Sequence, residues 1–268
     1  MDSRAGAPLR AERDVERGRW VLEALGRFGT FDGIVPPVFD AAVRVLHPVS
    51  EDPVVRWRDV AERAGTVLHP LAQWDSVVGP SPIDVGAPRT GVLPLVELAA
   101  LAGPLSAATA TPEACLAAFW EGYGTLVGEQ TVVFSRRGGR DPEWLSDSRP
   151  TGWEHPEIAA AGWLELPGRE CLLFSLDVRT LADPGWAREA GFATASGTTV
   201  QTPLALWPDD RAWYLATEVD FDSTVIGGSR ALVDAVLELS EQGALEALPL
   251  PEVVDLSSLG DRVNPRPH

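Results

Sequence analysis

The sequence predicts an α+β fold, a helical N-terminal half packed with a C-terminal, mainly antiparallel sheet and one covering helix. Two observations carry this. Apolar residues recur at helical spacing through about residues 14–125. From about 130 to 264, short alternating runs separated by tight-turn residues take over, which is hairpin rather than βαβ patterning. With 268 residues there is ample chain for one core, and a single domain over 14–264 is expected.

Residues 1–13 read as frayed. A first helix is expected from Asp14 to Arg27, with Trp20, Val21, Leu22 and Leu25 as its apolar side. Pro36-Pro37 opens a second, in which Val35, Val38, Phe39, Ala42, Val43 and Leu46 share a face until His47-Pro48 ends it. A third starts at Asp52-Pro53, turns Trp57, Val60, Ala61 and Ala64 inward, and stops at Gly65. Gly79 to Gly91 reads as a loop. Leu93 to Leu105 is apolar all round, a helix buried on most sides and limited by Pro104. Thr111-Pro112 caps another, carrying Leu116, Phe119, Trp120 and Tyr123.

Val132 to Phe134 reads as a short strand and Arg136 to Pro156 as a long loop. Gly162 to Leu166 and Glu170 to Leu176 flank Pro167-Gly168-Arg169 as a hairpin. Val200 to Leu206 pairs across the turn Trp207-Pro208-Asp209-Asp210 with the strand that follows it. In that strand, alternation places Trp213, Leu215, Thr217, Val219 and Phe221 on the core face. Tyr214, Ala216, Glu218 and Asp220 lie on the other. Gly227-Gly228 turns the chain, Ser229 caps a helix with Leu232, Val233, Val236 and Leu237 inward, and Gly243 ends it.

Composition excludes more than it assigns. The chain has no lysine, so every fixed cation is arginine. That removes P-loop and kinase chemistry and any Schiff base on lysine. A net charge of −17 argues against a nucleic-acid surface. No apolar run reaches the length of a membrane span, and the charged start lacks a signal core, so a cytoplasmic protein is expected. Cys115 and Cys171, one in a helical pattern and one in a strand-like pattern, read as buried free thiols.

The stretches FDAAVRVLHP, FWEGYG, LPGRECLLF and LWPDDRAWYLATEVDFDSTVIGGS resemble a family of uncharacterised proteins from high-GC bacteria. The resemblance spans about Trp20 to Asn264 and implies one shared architecture and no catalytic residue. The WP turn, strand and acidic loop also resemble an uncharacterised domain found near toxin–immunity systems.

The densest chemistry lies at Tyr214, Glu218, Asp220, Asp222, Ser223 and Thr224. Glu218 and Asp220 stand about 7 Å apart by strand rise, with Asp222 curling towards them. Such a ledge suits a divalent cation, or acid–base work if burial raises one carboxyl. Three crowded carboxylates require a cation or an arginine, and Arg211 is too far along the strand to provide it. Ser229 lacks the G-x-S-x-G frame of a nucleophile and reads as a cap. His47 and His69 read as helix-end histidines, and Trp153-Glu154-His155-Pro156-Glu157 as a solvated loop. Trp20, Trp57, Trp120, Trp163 and Trp213 read as core. Trp74, Trp144, Trp153, Trp186 and Trp207 read as loop residues able to line an interaction surface. The expectation is a non-catalytic cytoplasmic binding or interaction protein, defence-related or regulatory, with a protein partner rather than a small molecule and no resident cofactor. The alternative is a hydrolase or metal-dependent enzyme using the ledge.

Overall fold

A computed structural model describes residues 8–27, 30–79, 86–122, 156–193, 200–251 and 253–264. Its centre is an antiparallel sheet, and helices accompany it, so the α+β class holds. Among the described residues the strands are β1 (Arg10–Ala11), β2 (Ala41–Leu46), β5 (Cys115–Trp120), β6 (Gly162–Leu166), β7 (Arg169–Leu176), β8 (Ala205–Pro208), β9 (Tyr214–Ala216), β10 (Ser223–Gly228) and β11 (Glu246–Pro249). They run in the order β1-β7-β5-β8-β9-β10-β2-β11, with β6 also paired to β7. A separate ribbon joins β3 (Ser50–Glu51) to β4 (Val54–Val55).

Both faces of the sheet are covered, and this explains where the expected helices failed. Val35 to Leu46 and Pro112 to Tyr123 were to be helices; instead they supply β2 and β5, both central. A strand sandwiched between two layers needs apolar residues at every position, so AAVRVL and CLAAFW carry no alternation to separate them from a buried helix. Cys115 is therefore a strand residue, buried and free, as is Cys171. Arg10 and Ala11, expected to fray, pair with Ser175 and Phe174. The sheet thus draws on both halves of the chain.

One face carries Val43, Val45, Ala117, Phe119, Phe174, Leu215 and Ile226. Against them pack α4 (Leu95–Ala107), α5 (Pro156–Ala160), a 3₁₀ turn (Val178–Ala182), α6 (Trp186–Glu189) and α7 (Arg230–Glu241). In α4 only one side is buried, through Leu98, Leu101, Ala102 and Leu105, whereas Val96 is 65% exposed. Pro104 lies inside that helix rather than ending it. The start of α7 is as expected: the Ser229 hydroxyl accepts from Leu232 N at 3.3 Å. Gly243 follows with φ 78°.

The opposite face is a second core, not a solvated one. A 3₁₀ turn (Val15–Gly18) leads into α1 (Arg19–Ala24), and this short piece replaces the longer helix expected from Asp14 to Arg27. With the segment 31–39 and the tail around Leu256, it covers Leu116, Ala118, Leu173, Trp207, Tyr214, Ala216 and Val225. Val219 and Phe221, assigned by alternation to the first face, pack here because the strand ends at Ala216 and the chain turns. Gly227 and Gly228 lie inside β10 and do not turn the chain. A Cβ on Gly227 would come 2.7 Å from Phe39 Cδ2, so glycine lets the covering segment lie close on the sheet.

At one end, α2 (Trp57–Ala64) and α3 (Trp74–Val78) close over Leu46. Asp52-Pro53 belongs to the turn of the β3–β4 ribbon, and α2 begins only at Trp57. Its first amides are capped from a distance: Glu246 accepts from Trp57 N at 2.7 Å and Arg58 N at 3.2 Å. Gly65 ends α2 in the left-handed region (φ 68°), as expected. The readings for Val132–Phe134, most of the loop at 136–156, Trp144, Trp153 and His155 lie outside the described residues.

Candidate functional site

The six candidate residues all lie near the turn 217–222, and the structure divides them into three groups. Tyr214, Ala216 and Glu218 share the face covered by α1. Arg169, the first residue of β7, reaches this side with Nη2 2.5 Å from Glu218 Oε1 and 3.3 Å from Asp220 Oδ2. Its guanidinium also stands 5.5 Å from the Trp120 ring centroid. The carboxylate pair therefore has a cation, 49 residues away in sequence from Glu218. A divalent ion at Glu218 and Asp220 would have to displace it. Arg211, as expected, plays no part here and stacks over Trp20 at 5.3 Å.

Tyr214 is 2% exposed, lies parallel to Trp207 at 5.9 Å, and meets the edge of Trp20 at 6.1 Å. Burial raises its phenol above the ordinary value, so it is a neutral donor at physiological pH. Beside it Leu25, Ile34, Leu204, Arg169 and Glu218 enclose a cavity of about 30 Å³. That holds a water rather than a substrate.

Asp222, Ser223 and Thr224 turn away from the ledge. Arg44 stands opposite Val225 across the β2–β10 ladder, so its long side chain reaches Ser223 on the diagonal. Nε donates to Ser223 Oγ at 2.8 Å, Nη1 to Ala72 O at 2.7 Å, and Nη2 to Asp222 Oδ1 at 3.2 Å. At 2% exposure this arginine is a core residue, and Trp57 stacks 5.6 Å from it. Burial raises the Asp222 carboxyl, with Asp75 adding to the rise and Arg44 opposing it.

On the other face Thr217, Thr224 and His47 form a chain whose proton order follows from one end. A carbonyl only accepts, so His47 Nδ1–H donates to Arg89 O at 2.7 Å. Neutral Nε2 must then accept from Thr224 Oγ1 at 3.0 Å, which in turn accepts from Thr217 Oγ1 at 2.8 Å. His47 is fully buried after a strand, not at a helix end. Burial lowers it to about 4, and the positive charges of Arg44 and Arg89 act the same way. His69 binds Asp261 through Nε2 at 2.8 Å, again away from any helix end. Burial alone would raise the Asp261 carboxyl, but hydrogen bonds from Asn264, His69 and Val263 outweigh it and hold it at about 2.

The concave surface in this region was missed by pattern reading. Gln73, Trp74, Asp75, Ser76, Thr90, Asp222 and Ser258, among others, line a groove of about 340 Å³. It lies over α3, with Asp222 at its inner side backed by Arg44. Only Asp222 and Trp74 in it carried a signal, one as a loop acid and one as a loop tryptophan. Trp74 stands edge-on to Trp57 at 5.1 Å. Two further tryptophans expected in loops are core instead: Trp186 is 2% exposed and Trp207 fully buried. Conversely Trp163, expected in the core, is 46% exposed.

Burial pushes both thiols up to about 12, so neither is a thiolate nucleophile at neutral pH. Glu157, from the loop reading around His155, accepts from Ala11 N at 2.6 Å. Among the described residues no three His, Cys, Asp or Glu side chains gather as a metal would require, and no helix is long and apolar enough to cross a membrane. No family model, curated protein or solved structure matches this chain.

Proposed function

We propose that the protein is a non-catalytic, cytoplasmic binding protein for another protein, and that the groove over α3 is its recognition site. The observation that carries the reading is where the reactive groups stand. His47, Tyr214, Cys115 and Cys171 are buried in uncharged forms, and Glu218 is paired to Arg169. The groove, by contrast, combines a volume of about 340 Å³ with an aromatic ring, two carboxylates and hydroxyls. The exposed valines near it extend the contact surface a protein partner would use: Val67 is 54% exposed and Val263 60%. Asn264 Oδ1 accepts from Val67 N at 2.8 Å, and Asp261 accepts from both Val263 N and Gln73 N, which ties this segment to the groove lining.

The test is affinity capture with the tagged full chain, run in parallel with Trp74→Ala and Asp75→Asn. Asp75 is exposed and Trp74 half-buried, so Asp75→Asn in particular leaves the fold intact. A protein held by the wild type and lost from both variants is the expected result. Equal retention by all three chains would remove the groove from the reading.

A further inference from the structure

Resting on that reading, we infer that the groove over α3 takes an arginine side chain presented by the protein partner. Asp75 and Asp222 place two carboxylates in its lining, and Arg44 stands behind Asp222 with one guanidinium. One negative charge is left over, which matches a monocation. The Trp74 ring in the same lining favours a flat organic cation over a hydrated metal ion, because a guanidinium both stacks on an aromatic face and forks onto a carboxylate.

Ser76 adds a hydroxyl acceptor to the same lining. The residue is 4% exposed and belongs to the groove lining. From there its hydroxyl can accept a hydrogen bond from a guanidinium that enters the groove. Burial and the neighbouring Asp75 both raise the Asp222 carboxyl, and an entering cation would relieve that repulsion. The net charge of −17 provides the long-range attraction for a basic partner segment. Lysine meets the charge requirement but offers no plane to Trp74 and no fork to two acceptors.

Calorimetric titration of the full chain with acetyl-Gly-Arg-Gly-amide, its lysine counterpart and its citrulline counterpart tests this. The arginine peptide is expected to saturate the wild type, and the neutral citrulline peptide to bind at least about tenfold more weakly. Asp75→Asn is expected to weaken the arginine peptide about fivefold or more at an unchanged melting temperature. Equal binding of arginine and citrulline peptides, no binding of the arginine peptide, or indifference to Asp75→Asn would overturn the inference. Tighter binding of the lysine peptide would overturn it too. If the peptide fails while Trp74→Ala still loses its captured protein, the groove stands and only the arginine chemistry falls. If capture is also insensitive to Trp74→Ala, both fall.

Discussion

Arg169 Nη2 lies 2.5 Å from Glu218 Oε1, with both side chains less than a fifth exposed. That burial makes this pair worth more than a surface contact, and Asp220 shares the same nitrogen at 3.3 Å. Arg169→Gln should therefore cost about 1–3 kcal/mol in urea unfolding, since it leaves two facing carboxylates without a cation. Glu218→Gln/Asp220→Asn added to it should recover most of that loss. A loss that persists in the triple variant would assign the effect to the Trp120 contact instead.

The same arrangement predicts how the ledge responds to ions. Calcium, magnesium and manganese, titrated calorimetrically into the wild type, should give no saturable heat at this site, because the guanidinium already occupies it. Saturable binding abolished by Glu218→Gln/Asp220→Asn would show that an ion displaces Arg169, and the metal-dependent alternative would then lead.

His47 predicts a pH dependence of stability. Its folded value of about 4 lies below the unfolded value of about 6.5, so the unfolded chain binds the extra proton between them. The stabilisation is complete above about pH 6.5 and falls away as pH drops towards 4, by about 3 kcal/mol in total. Urea midpoints at pH 7, 6, 5 and 4.5, compared with those of His47→Gln, isolate this contribution. Parallel curves for the two chains would mean that His47 takes up its proton equally in the folded and unfolded chains.

Arg44→Met should be among the costliest single changes, about 3–5 kcal/mol, because Asp222 and two carbonyls lose their donor in a buried place. Adding Asp222→Asn should return part of it. Additive losses in that double-mutant cycle would mean that the two residues do not interact.

Val236 is fully buried with Trp213, Leu215 and Val233 under α7, whereas Val219 packs on the opposite face. Val236→Asp should unfold the chain or cost about 4 kcal/mol or more, by burying an unpaired charge. Wild-type thermal melting would place α7 elsewhere.

The sequence by itself determined what depends on neighbours along the chain. The β6–β7 hairpin, the pairing of β8 with β9, the left-handed Gly65 and the Ser229 cap were legible, because each is set by a few adjacent residues, although Trp207 and Pro208 belong to β8 and the turn falls at Asp209-Asp210. So was the need of Glu218 and Asp220 for a cation. Only the tertiary structure decided that AAVRVL and CLAAFW are central strands, since burial on both faces erases the alternation that marks a strand. It also decided which arginine serves which acid. Arg169 meets Glu218 49 residues on, and Arg44 meets Asp222 across 178. Those pairings follow from strand order and register, which bring distant residues within reach and which no local pattern encodes. The groove over α3 has the same origin, for its lining comes from α3, residues 87–90, Asp222 and Ser258, and exists only once they are packed together.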